Sequence, residues 1–138
     1  MTDVKQKHIV CLIDDDNIYQ YTARIILEST GLAKHIHSFY DGNEALTYFR
    51  QQLSAGADTL PDVIFLDINM PIMNGWEFLE EYDKLGATLP KPIVVYVVSS
   101  SVNSTDMQRS RSYKTVTDYL VKPVNRSTYQ ELMENLAC

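Results

Sequence analysis

The chain has 138 residues and a mass of 15.8 kDa, the usual size of one domain, so one core is expected and a second sizeable one is excluded. Hydrophobic residues at 45% and charged residues at 22% exclude general disorder. Eighteen acidic against twelve basic side chains give a net charge of −6, which excludes a basic face for a nucleic-acid backbone.

The polar stretch from Met1 to His8 is not a secretory signal, and the longest apolar runs, such as Ile93 to Val98, are far too short to span a bilayer. No membrane insertion is therefore expected, and the location expected is cytoplasmic. Of two cysteines, Cys11 sits in an apolar run and Cys138 ends the chain, a spacing that suits neither a metal site nor a disulfide framework.

In chain order, short β-branched runs alternate with amphipathic segments five times, the pattern of one α/β domain. The predicted strands are Ile9 to Ile13, His35 to Phe39, Val63 to Leu66, Ile93 to Val98 and Val116 to Val121; most are nearly continuous apolar runs, as buried parallel strands are. In the first helix, Ile18, Tyr21, Thr22, Ile25, Ile26 and Ser29 fall on one face, and Gly31 stands where the helix stops. The second starts near Asp41-Gly42-Asn43 and buries Ala45, Leu46, Phe49 and Leu53, before a loop from Ser54 to Pro61. The third begins after Asn74-Gly75, turns Phe78, Leu79 and Tyr82 inward, and ends near Gly86. The fourth, from Ser104 to Tyr113, has only Met107 and Tyr113 as sizeable apolar groups, so loose packing is expected. The last follows an N-cap at Asn125 or Ser127 and carries Tyr129, Leu132, Met133 and Leu136 at core spacing.

Open parallel sheets bind ligands beyond the carboxyl ends of their strands. Strand one ends in Asp14-Asp15-Asp16, strand three in Asp67, strand four in Ser99-Ser100-Ser101 and strand five in Lys122-Pro123. Each has a bland explanation: Asp16 as a helix cap, Asp67 as the start of a turn, the serines and Lys-Pro as loop features. Their joint occurrence is the informative observation. Two carboxylates about 4 Å apart repel by roughly 1 kcal/mol in water and about 4 kcal/mol at an effective dielectric of 20, so a third calls for a cation. Oxygen ligands without clustered Cys or His select a hard ion such as Mg²⁺. An Asp beside such an ion can attack a phosphoryl group and form an acyl phosphate, with a hydroxyl and an ammonium to orient its oxygens.

The runs Ile9 to Asp16, Asp41 to Leu46, Pro61 to Gly75 and Tyr119 to Pro123 resemble the receiver domain of two-component response regulators. The resemblance covers the chain from about residue 8 to 136. It implies a flavodoxin-like (βα)5 three-layer sandwich with a parallel sheet of order 2-1-3-4-5, and a phosphoacceptor protein of a phosphorelay rather than an enzyme. By that resemblance Asp67 is the phosphoacceptor; Asp14 and Asp15 organise Mg²⁺; Asp15, Asp67 and the backbone carbonyl of Asn69 ligate it directly. Ser99 hydrogen-bonds a phosphoryl oxygen, with Ser100 left open as an alternative, and Lys122 pairs with the phosphoryl group across a cis Lys122-Pro123 bond. Ser99 and Tyr119 form the switch, and the output face is helix four, strand five and helix five. The implied partners are a sensor histidine kinase or phosphotransfer protein and an unidentified output protein; a homodimer is left open.

Two departures fall on that output side: the segment Tyr113 to Asp118 lacks the family's usual Gly-Ala pair, and Val124 stands where Phe is common. The expected domain is a single stand-alone receiver over residues 1–138, without an output domain. A haloacid-dehalogenase-like phosphatase is the rival enzyme reading, but it needs an acidic pair after Lys122, where only Glu131 and Glu134 remain, and leaves Asp67 unexplained. A phosphorylation-independent docking module is the other alternative, opposed by the intact set Asp14, Asp15, Asp67, Ser99 and Lys122. A flavin carrier is excluded by three aspartates where a phosphate loop would stand.

Overall fold

The computed structural model describes residues 7–52, 60–70, 73–86, 89 and 91–136. Five strands, β1 (His8–Ile13), β2 (Ala33–Phe39), β3 (Val63–Asp67), β4 (Val94–Ser99) and β5 (Val116–Val121), alternate with α1 (Asn17–Ser29), α2 (Gly42–Gln52), α3 (Gly75–Gly86), α4 (Ser104–Arg111) and α5 (Arg126–Glu134). All pairings are parallel, in the order β2-β1-β3-β4-β5 expected of the flavodoxin-like fold. No helix among the described residues is long and apolar enough to cross a membrane.

Alternate side chains of a strand face opposite sides, and the two sides here carry separate cores. Cys11, Ile13, Ile64, Leu66, Val95 and Val97 pack against Leu46 and Phe49 of α2 and Phe78, Leu79 and Tyr82 of α3. Val10, Leu12, Val63, Phe65, Tyr96 and Val98 pack against Ala23 and Leu27 of α1 and Tyr129 and Met133 of α5. Both faces of β1 and β3 are therefore covered, which is why these strands read as unbroken apolar runs. Cys11 is a buried free thiol, as its run of neighbours implies; Cys138, Leu53 and most of the loop after it lie outside the described residues.

The first helix corrects the sequence reading. Ile18, Tyr21, Thr22, Ile25 and Ser29 are exposed, Ile18 by 79% and Tyr21 by 68%; only Ile26 of the predicted face packs inward. The buried residues are Gln20, Ala23 and Leu27. Apolar side chains occupy more than one face of α1, so spacing alone did not select the packing face. A polar residue, Gln20, marks it, because its amide donates to the carbonyls of Leu12, Asp14 and Phe39 at 3.3, 3.1 and 2.9 Å. The helix ends as predicted, with Gly31 at a φ of +71°.

Helices α2 and α3 bury the predicted Ala45, Leu46, Phe49, Phe78, Leu79 and Tyr82. In α5, Asn125 is the cap, accepting from the Thr128 amide at 2.9 Å. Helix α4 buries only Ser110; Tyr113, just beyond it, stacks on Trp76 with ring centroids 5.8 Å apart.

Candidate functional site

Register brings the strand ends together. Ile13 pairs with Leu66, so the next residues, Asp14 and Asp67, emerge side by side. Ser99 pairs with Val121, so Lys122 follows directly, its amide donating to the Ser99 carbonyl at 2.8 Å. One edge of the sheet thus holds Asp14, Asp67, Ser99 and Lys122.

Three of these residues turn the chain in the same way. The Asp14 carboxylate accepts from the Asp16 amide at 2.9 Å, Asp67 from the Asn69 amide at 3.3 Å, and the Ser99 hydroxyl from the Ser101 amide at 3.0 Å. The turn reading and the functional reading of Asp67 and the serine run are therefore compatible: a side chain that starts a turn is also held at the strand tip. Asp16 caps α1, accepting from the amides of Ile18 and Tyr19 at 2.9 and 3.0 Å. The cap keeps Asp16 out of the cluster.

Carboxylate oxygens of Asp14, Asp15 and Asp67 all lie within 4.8 Å of one another. Asp14 and Asp67 are buried while Asp15 is exposed. The Lys122 ammonium enters from the side, 2.7 Å from Asp14 Oδ2 and 3.7 Å from Asp67 Oδ1. Burial and the neighbouring charge of Asp14 push the Asp67 carboxyl up to about 6, against the opposing pull of Lys122 and the Asn69 amide. Burial works against the Lys122 charge, but its hydrogen bond to Asp14 and the charges of Asp67 and Asp14 hold the ammonium above its ordinary range. Three carboxylates and one ammonium leave the pocket two charges negative, a donor set of hard oxygens that fits a divalent Mg²⁺.

The start of α3 packs against the backbone that follows β3. A Cβ on Gly75 would stand 2.6 Å from Ile68 Cα and 2.7 Å from the Asp67 carbonyl oxygen, so only glycine permits this approach. Ser99 is fully buried and Ser100 exposed. Tyr119 is half-buried, its hydroxyl donating to the Ser101 carbonyl at 2.8 Å. The Lys122-Pro123 bond is cis, as expected. Glu131 and Glu134, which the phosphatase reading needs, lie on α5 and take no part in the acidic cluster.

One residue absent from the sequence reading joins the site: the Tyr19 ring lies under Lys122, its centroid 4.2 Å from Nζ. No local spacing links positions 19 and 122.

A family model for the response regulator receiver domain matches residues 10–134. Among curated proteins, the Probable methanogenesis regulatory protein FilR2 of Methanothrix harundinacea is 27% identical over 134 residues, 97% of this chain and 84% of its own length. The chain spans less than half the length of several other curated relatives it matches. Among solved structures, a two-component response regulator from Cytophaga hutchinsonii superposes with a TM-score of 0.84 at 30% identity, over 95% of this chain and 98% of that one. The phosphorylated cyanobacterial phytochrome response regulator RcpA superposes at 0.69 with 28% identity, over 93% of this chain and 89% of its own. With its fold, its acidic strand-end pocket and 125 of its residues accounted for by one family model, the chain belongs to the receiver domains of two-component response regulators.

Proposed function

We propose that Asp67 accepts a phosphoryl group from a phosphohistidine on a sensor histidine kinase or phosphotransfer protein in the cytoplasm. The observation that carries this reading is the placement of the Lys122 ammonium, 2.7 Å from Asp14 and 3.7 Å from Asp67, beside three converging carboxylates. Asp14, Asp15 and Asp67, with the Asn69 carbonyl, would hold Mg²⁺. When bound, the ion neutralises charge on the transferred oxygens. Asp67 supplies the attacking carboxylate oxygen, Lys122 offsets the charge that arrives, and Ser99 offers its hydroxyl at the tip of the neighbouring strand. Burial of Ser99 favours it over the exposed Ser100.

Phosphorylation adds roughly −1.5 to −2 of charge to the pocket. Ser99 and Lys122 move toward the new oxygens, and Ser101, two residues on from Ser99, carries the shift to the Tyr119 hydroxyl that it accepts from. Tyr119 then changes the face formed by α4, β5 and α5, and a separate output protein reads that face. Incubation with acetyl phosphate and Mg²⁺, read by intact mass, gives one phosphoryl adduct on the wild type and none on Asp67→Asn. An adduct that survives Asp67→Asn refutes the assignment.

A further inference from the structure

We infer that Tyr19 is a positioning residue for phosphoryl transfer: its ring fixes the rotamer in which Lys122 faces Asp67. The inference rests on the reading of Asp67 as the acceptor.

A lysine ends in a compact charge on a flexible four-carbon stem, and an attached carboxylate alone leaves that stem many conformations. Here the Lys122 ammonium is confined on two sides. Asp14 Oδ2 accepts from it at 2.7 Å, and the Tyr19 ring presents its electron-rich face 4.2 Å away. Held in this way, the ammonium stands 3.7 Å from Asp67 Oδ1. Backbone freedom is removed as well, since the Lys122 amide is bonded to the Ser99 carbonyl.

The ring is itself held at both ends. Its backbone amide is capped by Asp16 at 3.0 Å, at the first turn of α1. Its hydroxyl stands 3.4 Å from that of Tyr129. Tyr129 is 1% exposed and meets Phe65 edge to face, with centroids 5.2 Å apart. A rigid wall of the second core, built from α1, α5 and β3, therefore backs the charge that β5 brings to the site. A cation–π contact shielded from water is stronger than an exposed one, and the Lys122 side chain is only 18% exposed.

During transfer from acetyl phosphate, an Asp67 carboxylate oxygen attacks phosphorus. The acyl phosphate bond forms, the phosphorus–oxygen bond to acetate breaks, and acetate leaves with the bonding pair. The ammonium must face the incoming oxygens as this happens. A lysine released from the ring samples conformations that point into water, and the transfer slows.

The test compares Tyr19→Leu and Tyr19→Met, which remove the ring, with Tyr19→Phe, which keeps it and removes only the hydroxyl. Thermal denaturation first identifies which ring-free variant is folded, the flexible methionine being the better gap-filler. Phosphorylation by acetyl phosphate with Mg²⁺ is expected to slow by about tenfold in the folded ring-free variant and by less than about twofold in Tyr19→Phe. Proton NMR supplies an independent reading of position: the Lys122 ε-methylene is shifted upfield by the ring in the wild type and in Tyr19→Phe, and returns to the ordinary lysine position without it. A ring-free variant that reacts at the wild-type rate overturns the inference, as does a Tyr19→Phe variant that slows as much as the ring-free one, or an unshifted ε-methylene in the wild type. A wild type that takes up no phosphoryl group overturns the acceptor reading instead.

Discussion

Strands β1 and β3 bury every residue along their length, whereas β5 buries none of its six as fully. The same contrast separates the helices: α3 buries Trp76, Phe78, Leu79 and Tyr82, while α4 buries only Ser110. The buried centre carries the Asp14 and Asp67 carboxylates at its strand tips. The β5 flank carries Tyr119 and faces solvent with Thr117 and Asp118. Dense packing resists displacement, and sparse packing lets an element move at low cost. The acidic cluster therefore sits on the densely packed part of the sheet, and the proposed output face on the sparsely packed part, from whose end Lys122 reaches the cluster.

The largest expected effect tests the packing side of that contrast. Phe65→Ala empties a site in β3 where the ring stacks on Tyr96 and meets Tyr129, and is expected to cost about 3–5 kcal/mol. Val121→Ala, at a position 39% exposed on β5, is expected to change stability by less than about 0.5 kcal/mol. Urea denaturation measures both, and equal losses would break the contrast.

Next comes Gly75→Ala. Its new methyl group meets backbone atoms of Ile68 and Asp67, which cannot rotate away as a side-chain tip would. A loss of about 1–3 kcal/mol is expected. Because the clash falls on the Asp67 carbonyl, weaker Mg²⁺ binding by isothermal titration should accompany it. A loss of stability with unchanged ion binding would show that α3 and the pocket are mechanically separate.

Acidity probes the centre without a mutation. Asp67 titrates at about 6 in the folded chain against an ordinary 3.8, so between these values the folded state holds a proton that the unfolded state has released. Its contribution to stability is fully present below the lower value and is lost as pH rises through the higher one. Without divalent cations, melting temperature should therefore carry a component that falls as pH rises from about 4 to 6, and Asp67→Asn should remove it. In the proposed site Mg²⁺ would bind the ionised carboxylate, so the stabilisation it gives should grow over the same interval, as thermal melts with and without the ion would show.

A smaller effect again belongs to the flank, where only Val121→Ala is expected to do less. Tyr119→Phe removes one hydrogen bond, from the hydroxyl to the Ser101 carbonyl, and is expected to cost about 1 kcal/mol. Phosphoryl uptake at Asp67 should be unchanged while binding of the output protein alters, which a pull-down with phosphorylated and unphosphorylated protein measures. Slower uptake would place Tyr119 in the acceptor pocket itself.

Most of the fold was legible because each central strand is apolar on both faces and each interval between strands is long enough for one helix. Strand limits differed from expectation by one or two residues at several ends, and β5 agreed at both. The convergence of the polar strand ends was legible too, since parallel pairing aligns the ends of β1, β3, β4 and β5 and so brings Asp14, Asp67, Ser99 and Lys122 to one edge. Helix α1 was not. Its apolar positions 18, 19, 21, 23, 25, 26 and 27 satisfy more than one helical stripe, and the true inner face includes a glutamine whose three carbonyl partners are contributed by β1, its following loop and β2.

The sequence by itself determined the order of elements, the carboxylates, hydroxyl and ammonium at the strand tips, and the excess negative charge that calls for a cation, because each follows from residue type and local period. Tertiary structure alone decided which side of α1 packs, that Gly75 lies against the Asp67 carbonyl, and that Tyr19 lies beneath Lys122. These contacts depend on how closely packed elements approach one another, a quantity that no local pattern encodes.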